Sequence, residues 1–399
     1  MNLSDGIGDD GMSQRPIYMD NNSTTRVDPR VVEAILPFLS EEYGNASSVT
    51  HHFGQRAGSA VESAREQVAR LLTCNSKEIV FTSGATESNN LALFGVTKHA
   101  AAGSHVIVNA AEHKAILDPA KQLERDGFQL TVLPVSNHGT VEPASVAAAI
   151  QHNTVLVSAM FANNEVGSIN PIEEIGSICR DANVLFHTDA TQAVGKVPIN
   201  LEELPVDLLS LSAHKMYGPK GIGALFVRRK SPRLRLQPII YGGGHEMRLR
   251  SGTLAVHQIV GLGKACQQCG DMMDEEFAQT FELTSQLRNK LESCVPNVIF
   301  NGHPVNRIPG NLHATFEGVN SDALMNKLKD IVAVSSGSAC TTADPEPSHV
   351  LLAMGIDEEL IDSSIRFGLG RFNTAKEVDA VIDAVARFVP QLRQMAPLG

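Results

Sequence analysis

No stretch of this 399-residue sequence stays apolar for the ~20 consecutive residues that a membrane-spanning helix needs, so a helical membrane protein is excluded. The opening residues, MNLSDGIGDDGMSQRP, are acidic and glycine-rich. They lack the basic-then-apolar order of a signal peptide and the arginine-rich amphipathicity of a transit peptide, so the expected compartment is the cytoplasm. Basic charge is also short. With 33 Lys and Arg against 44 Asp and Glu, the net charge of −11 argues against a direct nucleic-acid binder. RRKSPRLR, residues 228–235, is the local exception; it reads as a solvated turn after a strand, with a patch for phosphate or an acidic partner as the other reading. Six cysteines in a large cytoplasmic chain make no disulfide framework. Cys266 and Cys269 form a CxxC, but they share a face of a helical stretch and no second Cys or His pair follows at zinc spacing, so a structural role is the better reading. Internal repeats and low-complexity segments are absent.

What is present is an ordinary globular composition, 43% apolar and 19% charged, at a length that suggests two to three domains. Residues 1–13 read as a disordered extension. Up to about residue 225, short apolar runs (EIVFTS, SHVIVNA, QLTVLPV, TVLVSAMFA, NVLFHTDA) alternate with longer helical patterns. That rhythm predicts an α/β fold, a mostly parallel sheet covered by helices. From about 275 a long amphipathic helix, EEFAQTFELTSQLRNKLESC, leads into separated strands VIFNG, NLHATFEG and IVAVSSG and then two helical stretches. This predicts a smaller α+β domain of residues 14–24 and 273–399, beside a large domain of 25–272.

Ligands of open α/β sheets gather at the carboxyl ends of the strands, and three ends here are unusual. After EIVFTS, Gly84 allows close backbone approach while Ala85, Thr86 and Glu87 open a helix, whose free N–H groups suit a phosphate. Asp189 stands where an apolar strand ends, as a helix cap or a charge partner for a ligand. Ser212, His214 and Lys215 end another strand before a glycine-rich turn, where a crowded lysine can become an amine nucleophile. Singly, each has an ordinary reading. Together, a phosphate anchor, a strand-end Asp and a Lys 26 positions later meet the needs of pyridoxal phosphate: an anion site, a partner for the pyridinium nitrogen and an amine for a Schiff base. Cys340 is the remaining oddity, a thiol in SSGSACTTADPEPSHV, a stretch too small and polar to bury it.

From MDNNSTT onward, the motifs FTSGATES, EHKA, ANNEVG, HTDATQAVGK, SAHKMYGPKGIGAL, GGGHE, RSGTLAVHQIVG, SSGSACT, EPSHVL and SSIRFGLGRF occur in that order. The sequence resembles the cysteine desulfurases of the NifS/IscS type, fold-type-I pyridoxal-phosphate enzymes of the class V aminotransferase group, across residues 15–397. The resemblance implies a Schiff base on Lys215, pairing of Asp189 with the ring nitrogen, a hydrogen bond from Gln192 to the phenolic oxygen, and His113 stacked on the ring as a proton carrier. Ala85, Thr86, Ser212 and His214 match the phosphate cup, with Thr253 supplied by the partner subunit of a homodimer. Asn164 and Arg366 match the positions that hold the substrate carboxylate, a task suited to the planar fork of arginine. From the bare residues, His113 as a core histidine, Arg366 as a surface ion pair and Asn164 as a turn residue stay open.

The implied reaction takes sulfur from L-cysteine, giving L-alanine and a persulfide on Cys340, in a mobile loop of about 336–347. No resident metal is implied, with Cys340 as a transient iron–sulfur ligand at most. The sulfur would pass to an iron–sulfur scaffold or another acceptor, with nucleic acid involved only through tRNA-thiolation partners and no membrane. TTADPEPS departs slightly from the commoner family pattern, yet Thr342 keeps a hydroxyl. The chain ends at MAPLG, where general-purpose members run on into a docking segment, so general and nitrogenase-dedicated supply both stay open. A selenocysteine lyase or another class V enzyme, and a non-catalytic sulfur relay or scaffold, are the competing readings.

Overall fold

The computed structural model describes residues 15–229, 234–336 and 347–395. Its strands are β1 (Ile17–Tyr18), β2 (Ile79–Thr82), β3 (His105–Asn109), β4 (Gln129–Leu133), β5 (Thr154–Ser158), β6 (Leu185–Asp189), β7 (Leu208–Ser212), β8 (Gly223–Val227), β9 (Val298–Asn301), β10 (Asn311–Phe316), β11 (Val332–Ala333) and β12 (Ser364–Gly368). Seven of them form one sheet in the order β2-β8-β7-β6-β5-β3-β4. β3 to β7 pair in parallel, and β8 is antiparallel to both of its neighbours, β2 and β7. β2 therefore runs the same way as β7. The carboxyl ends of β2, β3, β5, β6 and β7 all emerge at one edge, where such sheets bind ligands.

The period-two pattern of the strands supplies two cores. Ile79, Phe81, Ile107, Phe186, Leu209 and Leu211 pack on one face, with the helix His52–Leu72 and the first half of the helix Val256–Cys294. Val80, Val106, Val108, Leu208 and Leu225 pack on the other, against the helices Ala85–Thr97 and Lys114–Arg125. β3 and β7 are buried at every position, which is why HVIVN and LLSLS carry little alternation. At the sheet's edge, only Leu133 of β4 is fully buried.

A third core lies around the antiparallel sheet β12-β10-β9, covered by the helices Ser321–Leu328 and Ala375–Met395 and by Leu283, Leu287 and Leu291 of the long helix. The N-terminal segment joins it, since β1 pairs with β11 and Met19 is wholly buried there. The helix expected from about 275 begins already at Val256 and runs 39 residues, so the expected boundary at 272/273 falls inside it.

Two other expectations are corrected. SSIRFGLG, where only helices were expected, is strand β12: Ile365 and Phe367 enter the core while Ser364 and Arg366 are polar yet buried, so no solvent face marks the alternation. Among the described residues of IVAVSSG, only Val332 and Ala333 pair as a strand. The turn after β8 is not simply solvated at its start. Arg228 donates to the carbonyls of Val206, Leu201 and Leu204 at 2.6–2.8 Å, while residues 230–233 lie outside the described residues. Cys266 and Cys269 are buried, with the Cys266 thiol 3.7 Å from the Met216 sulfur. Among the described residues no helix is long and apolar enough to cross a membrane.

Candidate active site

The end of β2 turns through Gly84, at φ +154°, into the helix that starts at Ala85. This turn lies against the start of β8, where a Cβ on Gly223 would strike the Leu211 carbonyl and come within 2.7 Å of the Gly84 Cα. Glycine is needed at 223 for this approach, and Ala85 and Thr86, which open the helix, border the same space as Ser212 at the end of β7. Ser212 Oγ would stand 3.8 Å from a Cβ on Gly84. Glu87, in the first turn, accepts from the Ser83 N–H at 2.9 Å and from Arg250 at 3.0 Å. Burial pushes its carboxyl up, but these partners outweigh it and hold Glu87 below the usual range.

At the end of β6, Asp189 is buried and accepts from Asn89 Nδ2 at 2.7 Å and from the Thr191 N–H at 3.0 Å. Asn89 sits one turn into the helix from Ala85, which brings it over the strand ends. Two residues back on β6, His187 lies between the hydroxyls of Ser158 and Ser210 at 2.9 and 3.0 Å, and burial lowers it to about 4. His113 follows β3 and caps the helix Lys114–Arg125, its Nδ1 accepting from the Ala115 N–H at 3.0 Å. That bond puts the proton of the neutral ring on Nε2. Burial lowers the His113 pKa, against the attraction of Asp189.

Lys215 follows β7 in a single 3₁₀ turn, and its Nζ donates to the carbonyls of Asn22 and Ser23 at 2.7 and 2.6 Å. The polar segment after β1 therefore passes directly over the lysine. Thr24 Oγ1 meets His214 Nδ1 at 3.1 Å, and burial lowers His214 to about 4. Gln192 donates to the same Asn22 carbonyl at 2.8 Å. From β12, Arg366 reaches the Asn164 carbonyl, Asp20 Oδ1, Ser23 Oγ and Ser335 Oγ at 2.7–2.9 Å, while its Nε is buried with no acceptor among the described residues. It is a buried ion pair, not a surface one.

These groups surround a single cavity of about 500 Å³, lined among others by Ala85, Thr86, His113, Asn164, Asp189, Gln192, Ser212, His214, Lys215 and Arg366. That volume suits a cofactor together with a small substrate. The class-V aminotransferase family model matches residues 17–381. A cysteine desulfurase IscS from Anaeromyxobacter dehalogenans (strain 2CP-C) is 53% identical over 96% of this chain and 95% of its own, and the human cysteine desulfurase is 47% identical over 96% and 84%. Among solved structures, a NifS-like protein matches with a TM-score of 0.87 at 37% identity, covering 95% of this chain and all of that one; SspA in complex with cysteine matches at 0.79 and 35%, covering 90% and all. The chain belongs to the class-V aminotransferase family, among the NifS/IscS-type cysteine desulfurases.

In this class-V chain, Thr253 is the one described residue of the expected set that does not line the cavity, and it is exposed. It follows a backbone stretch, Glu246 to Arg248, at φ 46°, 56° and 68°, a left-handed run of non-glycine residues that needs outside support. Support comes from Glu246, whose carboxylate accepts from both terminal nitrogens of Arg65 at 2.7 Å and from the Phe81 N–H at 2.8 Å. Cys340 lies outside the described residues. The residues flanking that stretch are anchored beside the cavity: Ser335 on Asp20 and Arg366, and Ser348 on Glu165 at 2.6 Å. Sequence reasoning assigned nothing to Asp20, Asn22, Ser23, Asn89 or Lys196. The polar run DNNSTT right after a short strand was the available signal for Asp20.

Proposed function

We propose that this chain removes sulfur from L-cysteine, leaving L-alanine, with pyridoxal phosphate as cofactor and Cys340 as the first sulfur acceptor. The observation that carries the reading is the convergence of Lys215, Asp189, His113, Asn164 and Arg366 on one cavity in a chain 53% identical to a cysteine desulfurase. Three features fit the cofactor. A helix N-terminus beside Ser212 and His214 offers donors to a phosphate, with Ala85 and Thr86 in its first turn. Asp189, itself fixed by two donors, offers a carboxylate to a protonated ring nitrogen. Lys215 presents an amine held by carbonyl acceptors, poised to bond to an aldehyde. The buried Arg366 Nε is a donor left for a substrate carboxylate, and a solved relative holds cysteine.

Pyridoxal phosphate, when bound, supplies an electron sink for bonds at the α-carbon of an amino acid. The chain's residues do the rest. Gln192 would hold the phenolic oxygen, His113 would lie against the ring, Asn164 and Arg366 would hold the substrate carboxylate, and Lys215 would move the α-proton. The Cys340 thiolate would attack the substrate sulfur, forming an S–S bond as the C–S bond breaks, with the electron pair of that bond left at the β-carbon, which takes up a proton to become the methyl group of L-alanine. Thr253 serves the phosphate of the partner subunit in a homodimer. The cytoplasm is the proposed compartment, with an iron–sulfur scaffold or another sulfur-acceptor protein downstream. The test is reconstitution with pyridoxal phosphate followed by borohydride. Fixation of the visible chromophore on Lys215, and sulfide release from cysteine that disappears in Cys340→Ala with the chromophore kept, are expected. A chain that takes up no cofactor, or Cys340→Ala with full turnover, refutes the reading.

A further inference from the structure

Gln192 is held at both ends of its amide. Its Oε1 accepts from Lys196 Nζ at 2.8 Å and from Asn22 Nδ2 at 3.3 Å, while its Nε2 donates to the Asn22 carbonyl at 2.8 Å. The chain from Ala190 to Val197 turns helically, with Val194 N–H bonded to Ala190 O and Val197 N–H to Ala193 O at 2.9 and 3.1 Å, so Lys196 falls one turn beyond Gln192 and on its face. An ammonium has only donors and a backbone carbonyl only accepts. A half-turn of the Gln192 amide would oppose N–H to N–H and C=O to C=O, so a single orientation satisfies both neighbours.

That orientation has a consequence at the lysine. The Asn22 carbonyl that takes the amide nitrogen of Gln192 also takes Lys215 Nζ at 2.7 Å, so the two nitrogens stand two hydrogen bonds apart. In pyridoxal phosphate the hydroxyl is on the ring carbon next to the one bearing the aldehyde. A cofactor bonded to Lys215 therefore carries its hydroxyl oxygen close to that nitrogen, and the donor end of Gln192 is the end that lies nearby. We propose that Lys196 is a positioning residue that locks the Gln192 amide with its N–H donors toward the cofactor's hydroxyl oxygen, thereby holding that oxygen as an anion. This rests on the reading of the cavity as a pyridoxal-phosphate site.

An anionic oxygen that accepts from Gln192 pulls less on the proton of the neighbouring nitrogen, so the lock lowers the pH at which the bound cofactor titrates. Burial, with repulsion from Lys215 and Arg366, lowers Lys196 to about 7, so the donor-only ammonium is present below that pH, and Gln192 Oε1 is the acceptor its amine uses. HTDATQAVGK thus contains a working residue beyond Asp189 and Gln192.

The experiment is a double-mutant cycle on the holoenzyme with Lys196→Met, Gln192→Ala and both together, plus Lys196→Arg. Two quantities are read: the pH midpoint of the cofactor's visible band and the dissociation constant of pyridoxal phosphate by equilibrium dialysis. Lys196→Met is expected to raise the midpoint by about one pH unit, a tenfold change in proton affinity, and to weaken cofactor binding several-fold. Lys196→Arg, which keeps the donors, is expected to restore most of the midpoint. In the Gln192→Ala background, Lys196→Met should change neither quantity. An unchanged midpoint in Lys196→Met, or an equal shift with and without Gln192, overturns the proposal, the latter because it marks a through-space charge effect. A wild-type chain whose chromophore is not fixed by borohydride would instead overturn the cofactor reading beneath it.

Discussion

The Arg366 guanidinium binds the Asp20 carboxylate at 2.9 Å, on the wall of the cavity that also contains Lys215. Both partners are largely buried, and Ser23 and Ser335 complete the cluster around the same terminal nitrogen. Asp20 and the hydroxyls hold one end of the fork, which leaves the buried Nε as a spare donor. Lysine cannot reproduce that geometry, because it offers one point charge instead of a planar fork. Arg366→Lys is expected to raise the KM for cysteine tenfold or more while the cofactor's absorbance stays, since a charge-assisted hydrogen bond contributes ~1.5–3 kcal/mol. Steady-state kinetics on the holoenzyme check this, and an unchanged KM removes Arg366 from substrate binding.

Legibility in the sequence followed the physics of each element. The strands around the cavity stood out because β3 and β7 are covered on both faces and read as apolar runs with turns after them. Lys215 and Asp189 stood out because charge at the end of an apolar strand is costly without a partner. β12 was hidden, since its second face is polar and buried at once, held by bonds between Arg366 and a segment more than 340 residues away in sequence. Asn22 and Ser23 were hidden for another reason: they serve Lys215 through backbone carbonyls, which no side chain reveals.

Glu165 gives a stability dependence on pH. It is 4% exposed, beside Asn164, and burial raises its carboxyl to about 7 although Ser348 and Arg366 pull it down. Between the ordinary value of 4.5 and about 7, the folded chain binds a proton that the unfolded chain does not, so this group's contribution falls as pH rises through that window. Glu165→Gln keeps an acceptor for Ser348 and removes the charge. It should be neutral at pH 4.5 and stabilising above pH 7, by at most about 3 kcal/mol for a shift of this size. Urea unfolding at the two pH values measures the difference, and an equal effect at both contradicts the assignment.

Arg371 joins three parts of the chain and should be costly to remove. Its guanidinium donates to Asp28 Oδ2 and Glu276 Oε2 at 2.7 Å and lies 4.1 Å over the Tyr217 ring. Asp28 opens the first helix of the described chain, at Pro29, and Glu276 lies midway along the long helix, so the contact ties the N-terminal segment and that helix to the loop after β12. Arg30 and Arg371 hold the Asp28 carboxyl well below its usual range despite its burial. Arg371→Met fills similar space but leaves Glu276 without its guanidinium partner and Asp28 with Arg30 alone. Breaking a buried pair from one side costs ~3–5 kcal/mol, so a large drop in the urea midpoint is expected. Glu276→Gln in the Arg371→Met background should recover part of that loss by removing the stranded charge. No recovery would mean that the guanidinium acts through its packing on Tyr217 instead.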